Sequence, residues 1–517
     1  MGATLLICSA LVGAGLHACS QLRELDLALP QTLFSLGAVA FAAIYAGVYS
    51  TATNAAISLS ITTLSLTVCT LVYRAFFHRL RKFPGPFPAK LTKFYGVWLS
   101  RNNQYHFEVE KLHEKYGDVL RTGPRELTIS RASPLLQISA CGKTNFYSMH
   151  DSNLMRLGLA STTSIDDHRK RRRGWNIPLT PQQISIYDDS IHSVVSIFLE
   201  RIAETAGKPT NITEWNSWLS YDIMGIVGYG KDFGNLRNNK EHNAIKLLRE
   251  SVAVLGFFKQ VPWLGNLLVH IPGGLGALEP FTKYCKDLVT EKQQLIRGKS
   301  LDSPTDIVTW FIKSFEEKKN YAAHTIEGLH DDSRSLVVGG SDTTSATMTN
   351  ILYYLSLHPH YMKKLQSELD SVFPNGPSTF TSNKLDHSLF DRVPLLEGII
   401  NETLRLNPPV SSGNPRVTPP EGIHVPTQGG EEAMYIPGDV NVLMPQWIFP
   451  FQLGMYNCVG KDLGMWEMKI VLSRLALQFD VCFAPEEDGK FQERILDTWT
   501  LTLPSLNLVF TERKAAE

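Results

Sequence analysis

From Leu27 to Tyr73 the chain carries no Lys, Arg, Asp or Glu, a charge-free run long enough for two bilayer crossings. One crossing is expected over Leu33–Ser50 and another over Ala55–Tyr73. An earlier apolar run, Ala3–Ser20, reads as a third span or a signal-like segment, and cleavage of a signal peptide would remove only that run. Arg74, His78, Arg79, Arg81 and Lys82 follow at once, a basic flank of the kind that stays in the cytosol. Residues 1–80 are therefore expected to form a membrane anchor with one to three transmembrane helices, and 81–517 a cytosolic body.

The body opens on FPGPFP, Phe83–Pro88, whose prolines fix φ and remove donors, so a stiff hinge is expected there. YHFEVEKLHEKYG spaces Tyr105, Val109, Leu112 and Tyr116 along one helix face and ends on Gly117, suited to the C′ position. DVLRTGPRELTIS sets two short extended runs around Gly123 and Pro124 and predicts a hairpin. From His150 to Phe380 the pattern is mostly helical, with breaks at Pro178, Pro262 and Pro272. A further helix over Asp391–Asn407 is stopped by Pro408 and Pro409, and short extended segments follow in VTPPEGIHVP and EAMYIPGDVNV. The helix after Cys458 sets Leu463, Trp466, Ile470, Val471, Leu475 and Phe479 mainly on one face, and the tail DTWTLTLPSLNLVF is strand-like. The body is thus expected to be one mainly α domain with minor β.

Composition narrows the function classes. Lys and Arg total 50 and Asp and Glu total 50, which gives no support for a nucleic-acid partner. The seven cysteines, at 8, 19, 69, 141, 285, 458 and 482, are odd in number and form no CxxC. That pattern is neither a disulfide framework nor a zinc site, and it fits a reducing, cytosol-facing body.

Cys458 stands apart from the other six. It lies in FQLGMYNCVG, framed by Phe451, Gly454 and Gly460, just before a helix. The glycines let backbone approach a flat ligand closely. The positive end of the following helix favours thiolate, and N–H groups of such a loop can hydrogen-bond the sulfur. Phe451 would shield one side from water. A lone thiolate with an open opposite face suits haem iron.

With these residues the chain resembles the cytochrome P450 family, whose members carry Phe-x-x-Gly-x-x-x-Cys-x-Gly. The resemblance extends to SLVVGGSDTTSATMTNILYYL, which supplies Gly339, Gly340, Asp342 and Thr343 of the family's oxygen-activating helix. Glycine inside a helix costs about 1 kcal/mol relative to Ala. The resemblance implies a reason for the pair: the helix opens over the haem to admit dioxygen, Thr343 positions it with water, and Asp342 relays protons. Glu402 and Arg405 form the family's Glu-x-x-Arg pair, at a spacing that sets both on one helix face. His168 and Arg172 match a helix that reaches the haem propionates, and Arg416 matches another propionate partner, its fork suited to a carboxylate.

The resemblance implies a P450 fold behind the anchor, haem b ligated by Cys458, and electrons from NADPH through NADPH-cytochrome P450 reductase. It further implies a catalytic body on the cytosolic face of the endoplasmic reticulum membrane. The substrate would be a small apolar molecule, with Val410–Asn414 along its pocket, in a style similar to fungal secondary metabolism (polyketide, terpenoid or alkaloid). One family block is missing. The strand-like IPGDVNVLMPQWIFP runs straight into FQLG, without the Phe-x-Pro-Glu-Arg-like segment whose arginine completes a triad with Glu402 and Arg405. A buried charge deprived of its partner costs about 3–5 kcal/mol, so that loss bears on haem retention. Two other readings follow: a shortened, catalytically inactive membrane-anchored relative that binds no haem, or a coding segment lost near Pro450 and Phe451.

Overall fold

At the N-terminus two apolar helices, α1 (Ala3–Ser20) and α2 (Ala52–Val72), pack side by side. Both are long and apolar enough to cross a membrane. Ser9 meets Ser58, Thr62 Oγ1 donates to the Ser9 carbonyl at 3.0 Å, Ser65 Oγ to that of Ala10 at 2.7 Å, and His17 Nδ1 lies 3.1 Å from Thr70 Oγ1. Gly13 sits where a Cβ would strike the Thr62 carbonyl, so a glycine sets the close approach. The partners advance together along both helices, which therefore run parallel. The expected span over Ala55–Tyr73 falls almost wholly within α2, and that over Leu33–Ser50 lies outside the described residues apart from Gly37. This computed structural model describes residues 3–21, 37, 52–150, 157–268, 270–274, 276–298, 303–381, 387–446 and 449–513.

The proline segment, expected to be a stiff hinge, is held against the first strand of the body. The Pro84 carbonyl accepts from Arg121 N at 2.7 Å, and Gly85, at φ +147°, lies where a Cβ would stand 2.5 Å from the Arg121 carbonyl. The Arg121 side chain, fully buried, donates to the carbonyls of Arg74, Gly123 and Pro124 at 3.1, 3.2 and 2.6 Å. One arginine thus ties the segment just after α2 to the first strand of the body.

That strand, β1 (Val119–Gly123), forms the expected antiparallel hairpin with β2 (Glu126–Ile129). With β3 (Gly142–Lys143), β4 (Arg416–Val417) and β5 (Asn441–Leu443) they make a five-stranded sheet in the order β1-β2-β5-β4-β3, in which only β2 and β5 are parallel. The rest is mostly helical. Four helices frame the site: α3 (Ile165–Asn176), α4 (Ile212–Tyr229), the long α5 (Ile326–Leu357) and α6 (Pro394–Leu406). The helix after the cysteine, α7 (Lys461–Gln478), is not one-sided as expected: from Ile470 to Leu477 every residue is buried. It runs through the main core, surrounded by neighbours, so its apolar positions wrap the axis.

Candidate active site

The loop before α7 turns sharply at Gln452 (φ 56°) and Gly454 (φ 68°), and Cys458 N donates to the Phe451 carbonyl at 2.7 Å. A side chain is strained in this left-handed region, so Gly454 serves the turn itself. Cys458 lies deep among protein atoms yet remains accessible, because it opens onto a cavity of about 250 Å³. Burial pushes its thiol pKa up, while the Gly460 and Lys461 N–H groups and the Arg172 guanidinium pull it down. Phe451, Gly460 and Cys458 share this cavity with Gly339, Gly340 and Thr343 of α5, and Val410 and Asn414 also line it. A Cβ on Gly339 or Gly460 would meet nothing within 4 Å.

Beside the cysteine loop stands a group of basic side chains, of which the arginines carry the charge. Arg172 donates to the Asn457 carbonyl at 2.5 Å and to Asn457 Oδ1 at 2.7 Å, holding α3 against the loop. His168 is buried, its ring 4.6 Å edge-on from that of Tyr456. Arg416, also buried, bonds Tyr147 Oη and Gln452 and lies 4.7 Å over the Tyr456 ring. Lys143 joins them: its Nζ donates to the Leu159 and Ala160 carbonyls at 2.8 and 2.9 Å and sits 5.4 Å from the Tyr456 ring. Desolvation and the neighbouring arginines depress Lys143 to about 7, and desolvation followed by Lys143 depresses His168 to about 3. Among the described residues no carboxylate bonds to any of the four. His168 Nδ1 is buried without a hydrogen-bond partner. Such a cluster is suited to an anionic ligand.

The glycine pair on α5 divides its work. Gly339 opens onto the cavity, whereas a Cβ on Gly340 would collide with the Met224 thioether of α4, so the second glycine serves helix packing as well. Thr343 lines the cavity and donates to its own Gly339 carbonyl at 2.7 Å. Asp342 does not line it. One residue earlier on the helix, it accepts from Thr500 Oγ1 and faces a separate polar pocket with Arg249 and Tyr221. Burial raises its pKa, with Thr500 and Arg249 acting against that rise.

Glu402 and Arg405 pair on α6 with N–O distances of 2.7 and 2.8 Å, but their side chains are 56% and 53% exposed. The expectation of a buried charge stranded by the missing segment is therefore corrected. Nothing covers the pair among the described residues, and water solvates both ends.

The cytochrome P450 family model matches residues 84–448, well over half of the chain. This chain belongs to the cytochrome P450 family. The match stops short of Cys458, where the family segment is absent. Among relatives, a cytochrome P450 monooxygenase (orf5) of Eupenicillium brefeldianum is 32% identical over 489 residues, covering 87% of this chain and 95% of that one. Tryprostatin B 6-hydroxylase of Aspergillus fumigatus is 28% identical over 86% of this chain and 82% of its own. A solved cytochrome P450DA haem domain superposes with a TM-score of 0.66 at 14% identity, over 84% of this chain and 98% of that one, a likeness of fold. As a P450 the chain is a monooxygenase whose family chemistry implies a thiolate-held haem. The residues present fit that group: an accessible cysteine at a helix start, open space at Gly339 and Gly460, and a basic cluster beside them that meets no carboxylate among the described residues. Sequence reasoning missed Lys143, which lies in a two-residue strand and carries no motif; its amine adds a further basic group beside Tyr456.

Proposed function

We propose that this P450 inserts one oxygen atom of O₂ into a small apolar molecule of fungal secondary metabolism, with electrons from NADPH through a reductase. One observation carries the reading: Cys458, Thr343 and Gly339 face a single cavity beside a cluster of basic side chains that no carboxylate bonds among the described residues. When bound, the haem supplies dioxygen activation, and electron donation from a thiolate favours O–O cleavage. The residues of the chain do the rest. Cys458 holds the iron; His168, Arg172, Arg416 and Lys143 bind the propionates; Phe451, Gly454 and Gly460 shape the loop. Val410 and Asn414 border the substrate, Thr343 orients water in the cavity, and Asp342 holds a proton at its carboxyl with Thr500 as partner. Gly340 lets α4 and α5 approach closely enough to keep Gly339 on the cavity wall. The fungal monooxygenases among the relatives support the substrate class.

The test is a reduced, CO-bound difference spectrum of the expressed full chain. The expected result is the Soret band of thiolate-ligated haem, abolished in Cys458→Ala. Absence of haem uptake overturns the proposal and supports the non-catalytic relative; reading the transcript across Pro450–Phe451 tests for a lost coding segment.

We further infer a membrane anchor over 1–80 and a catalytic body over 81–517 on the cytosolic face of the endoplasmic reticulum. Two parallel helices crossing one bilayer put the start of α1 on the face opposite the end of α2, which requires three crossings. A glycosylation tag fused before Ala3 should be modified in microsomes, and one inserted after Gln21 should not be; an unmodified first tag overturns the three crossings, and a modified second tag favours a single crossing by α2.

A further inference from the structure

Beyond the cavity at Cys458 lies a second one of about 220 Å³, and the two meet along α5. Ser335, Gly339 and Thr343 line both, at a spacing of four residues that sets them on one helix face. The walls of the second cavity are mostly apolar. Val252 of the helix Asn243–Phe258, Phe281 of the helix Glu279–Ile296 and Trp499 of the tail contribute to them. Trp499 is held by a flat stack on Phe146, with ring centroids 5.0 Å apart and planes 4° from parallel. Among the described residues a single charged side chain lines this cavity, that of Arg334.

The charge of Arg334 is already matched. It donates to Asp331 one turn earlier on α5, and Asp331 also accepts from Ser161 Oγ at 2.9 Å. The next acid, Asp332, is taken by Arg171. A guanidinium carries five N–H donors and no acceptor, so it can serve a carboxylate and a second acceptor together. The cavity thus offers strong donors without a net positive charge, and three kinds of guest fare differently. A wholly apolar one strips water from the guanidinium and returns no hydrogen bond. An ionised carboxylate gives up its own water to meet a cation that Asp331 has neutralised. A neutral carbonyl oxygen costs less to desolvate than a charge and accepts a charge-assisted hydrogen bond.

We propose that the substrate carries a neutral carbonyl or amide oxygen, held by Arg334 and Ser335, while its apolar body reaches past Gly339 into the cavity at Cys458. Arg334 lies five residues before Gly339, about 7.5 Å along the helix axis. The acceptor and the carbon that reacts are therefore separated by an apolar stretch of about that length or more. Arg334 is a positioning residue: it selects the substrate and, by fixing one end, the carbon presented for oxidation. This substrate class rests on the monooxygenase function proposed above, yet binding at Arg334 is measurable without haem.

Three radiolabelled probes of similar shape separate the guests: 4-phenylbutanamide, 4-phenylbutanoate and (4-methylpentyl)benzene. In equilibrium dialysis at neutral pH against the haem-free full chain in lipid nanodiscs, corrected with empty nanodiscs, the amide should bind about tenfold more tightly than either of the others. Arg334→Met, combined with Asp331→Asn so that no acid is left unpaired, should bring the amide down to the level of the hydrocarbon. Ser335→Ala, a milder change, should weaken the amide severalfold and leave the hydrocarbon as it was. The last measurement separates positioning from structure: after reconstitution with haem and reductase, Arg334→Lys should change the ratio of positions oxidised on 4-phenylbutanamide. Equal affinity for amide and hydrocarbon, binding by none of the probes, tighter binding of the butanoate, or an unchanged product ratio overturns the proposal. Failure of the wild-type chain to take up haem instead overturns the function on which it rests and leaves the dialysis result standing.

Discussion

Arg171 and Arg405 each meet a carboxylate near the cavity, and the two pairs differ in what covers them. Arg171 on α3 reaches Asp332 on α5 with side chains 1% and 6% exposed, and Asp332 also accepts from Leu159 N at 2.9 Å. Arg405 and Glu402 have good bidentate geometry on one helix but stand more than half exposed. Burial lifts the Asp332 carboxyl to about 6 even against its arginine. The side of the site around α3 and α5 is thus closed by its own chain, and the side around α6 is open where the family segment is missing. An ion pair of one chemical type is a structural bolt in the first setting and a surface contact in the second.

Unfolding measurements can break that contrast. Arg171→Ala strands Asp332 in the interior and should cost about 3–5 kcal/mol; a loss below about 1 kcal/mol would remove the distinction. Lys143 gives the next largest effect. Its folded pKa near 7 lies below the ordinary 10.5, so the fold favours the neutral amine and stability falls as pH drops from about 10.5 through 7. Lys143→Met should abolish this slope in the haem-free chain, and haem loading should shrink it in the wild type by adding negative charge nearby. Gly340→Ala forces the flexible Met224 thioether aside at a cost of about 1 kcal/mol; because truncating buried Met224 itself costs about 2–5 kcal/mol, the clash is read as the coupling in a double-mutant cycle with Met224→Ala. The smallest change is expected for Glu402→Gln, at about 0–1 kcal/mol by chemical denaturation. Grafting a family segment before Phe451 sharpens the comparison, because covering the pair should raise the cost of that same substitution.

Features set by near neighbours were legible in the sequence. The β1–β2 hairpin, the helix ending at Gly117 and the cysteine loop depend on residues a few positions apart, and each is present. Features set by direction were not. Asp342 and Thr343 are adjacent in the motif, but one helical step is about 100°, which sends the two side chains to different pockets. The same rotation divides Gly339 from Gly340. Lys143 resembles an ordinary charged residue until tertiary packing removes its water. The exposure of Glu402 and Arg405 depends on a segment the chain does not contain, so the motif alone suggested a buried pair.

Arg121 carries a mechanical consequence. A slack tether would let the body tumble beneath the bilayer, but Arg121 fastens the carbonyl of Arg74, just past α2, to the turn after β1. The joint behaves as a bracket. With α2 spanning a bilayer, as proposed above, its tilt would set the pitch of the body and so the height of the body's surfaces above the lipid.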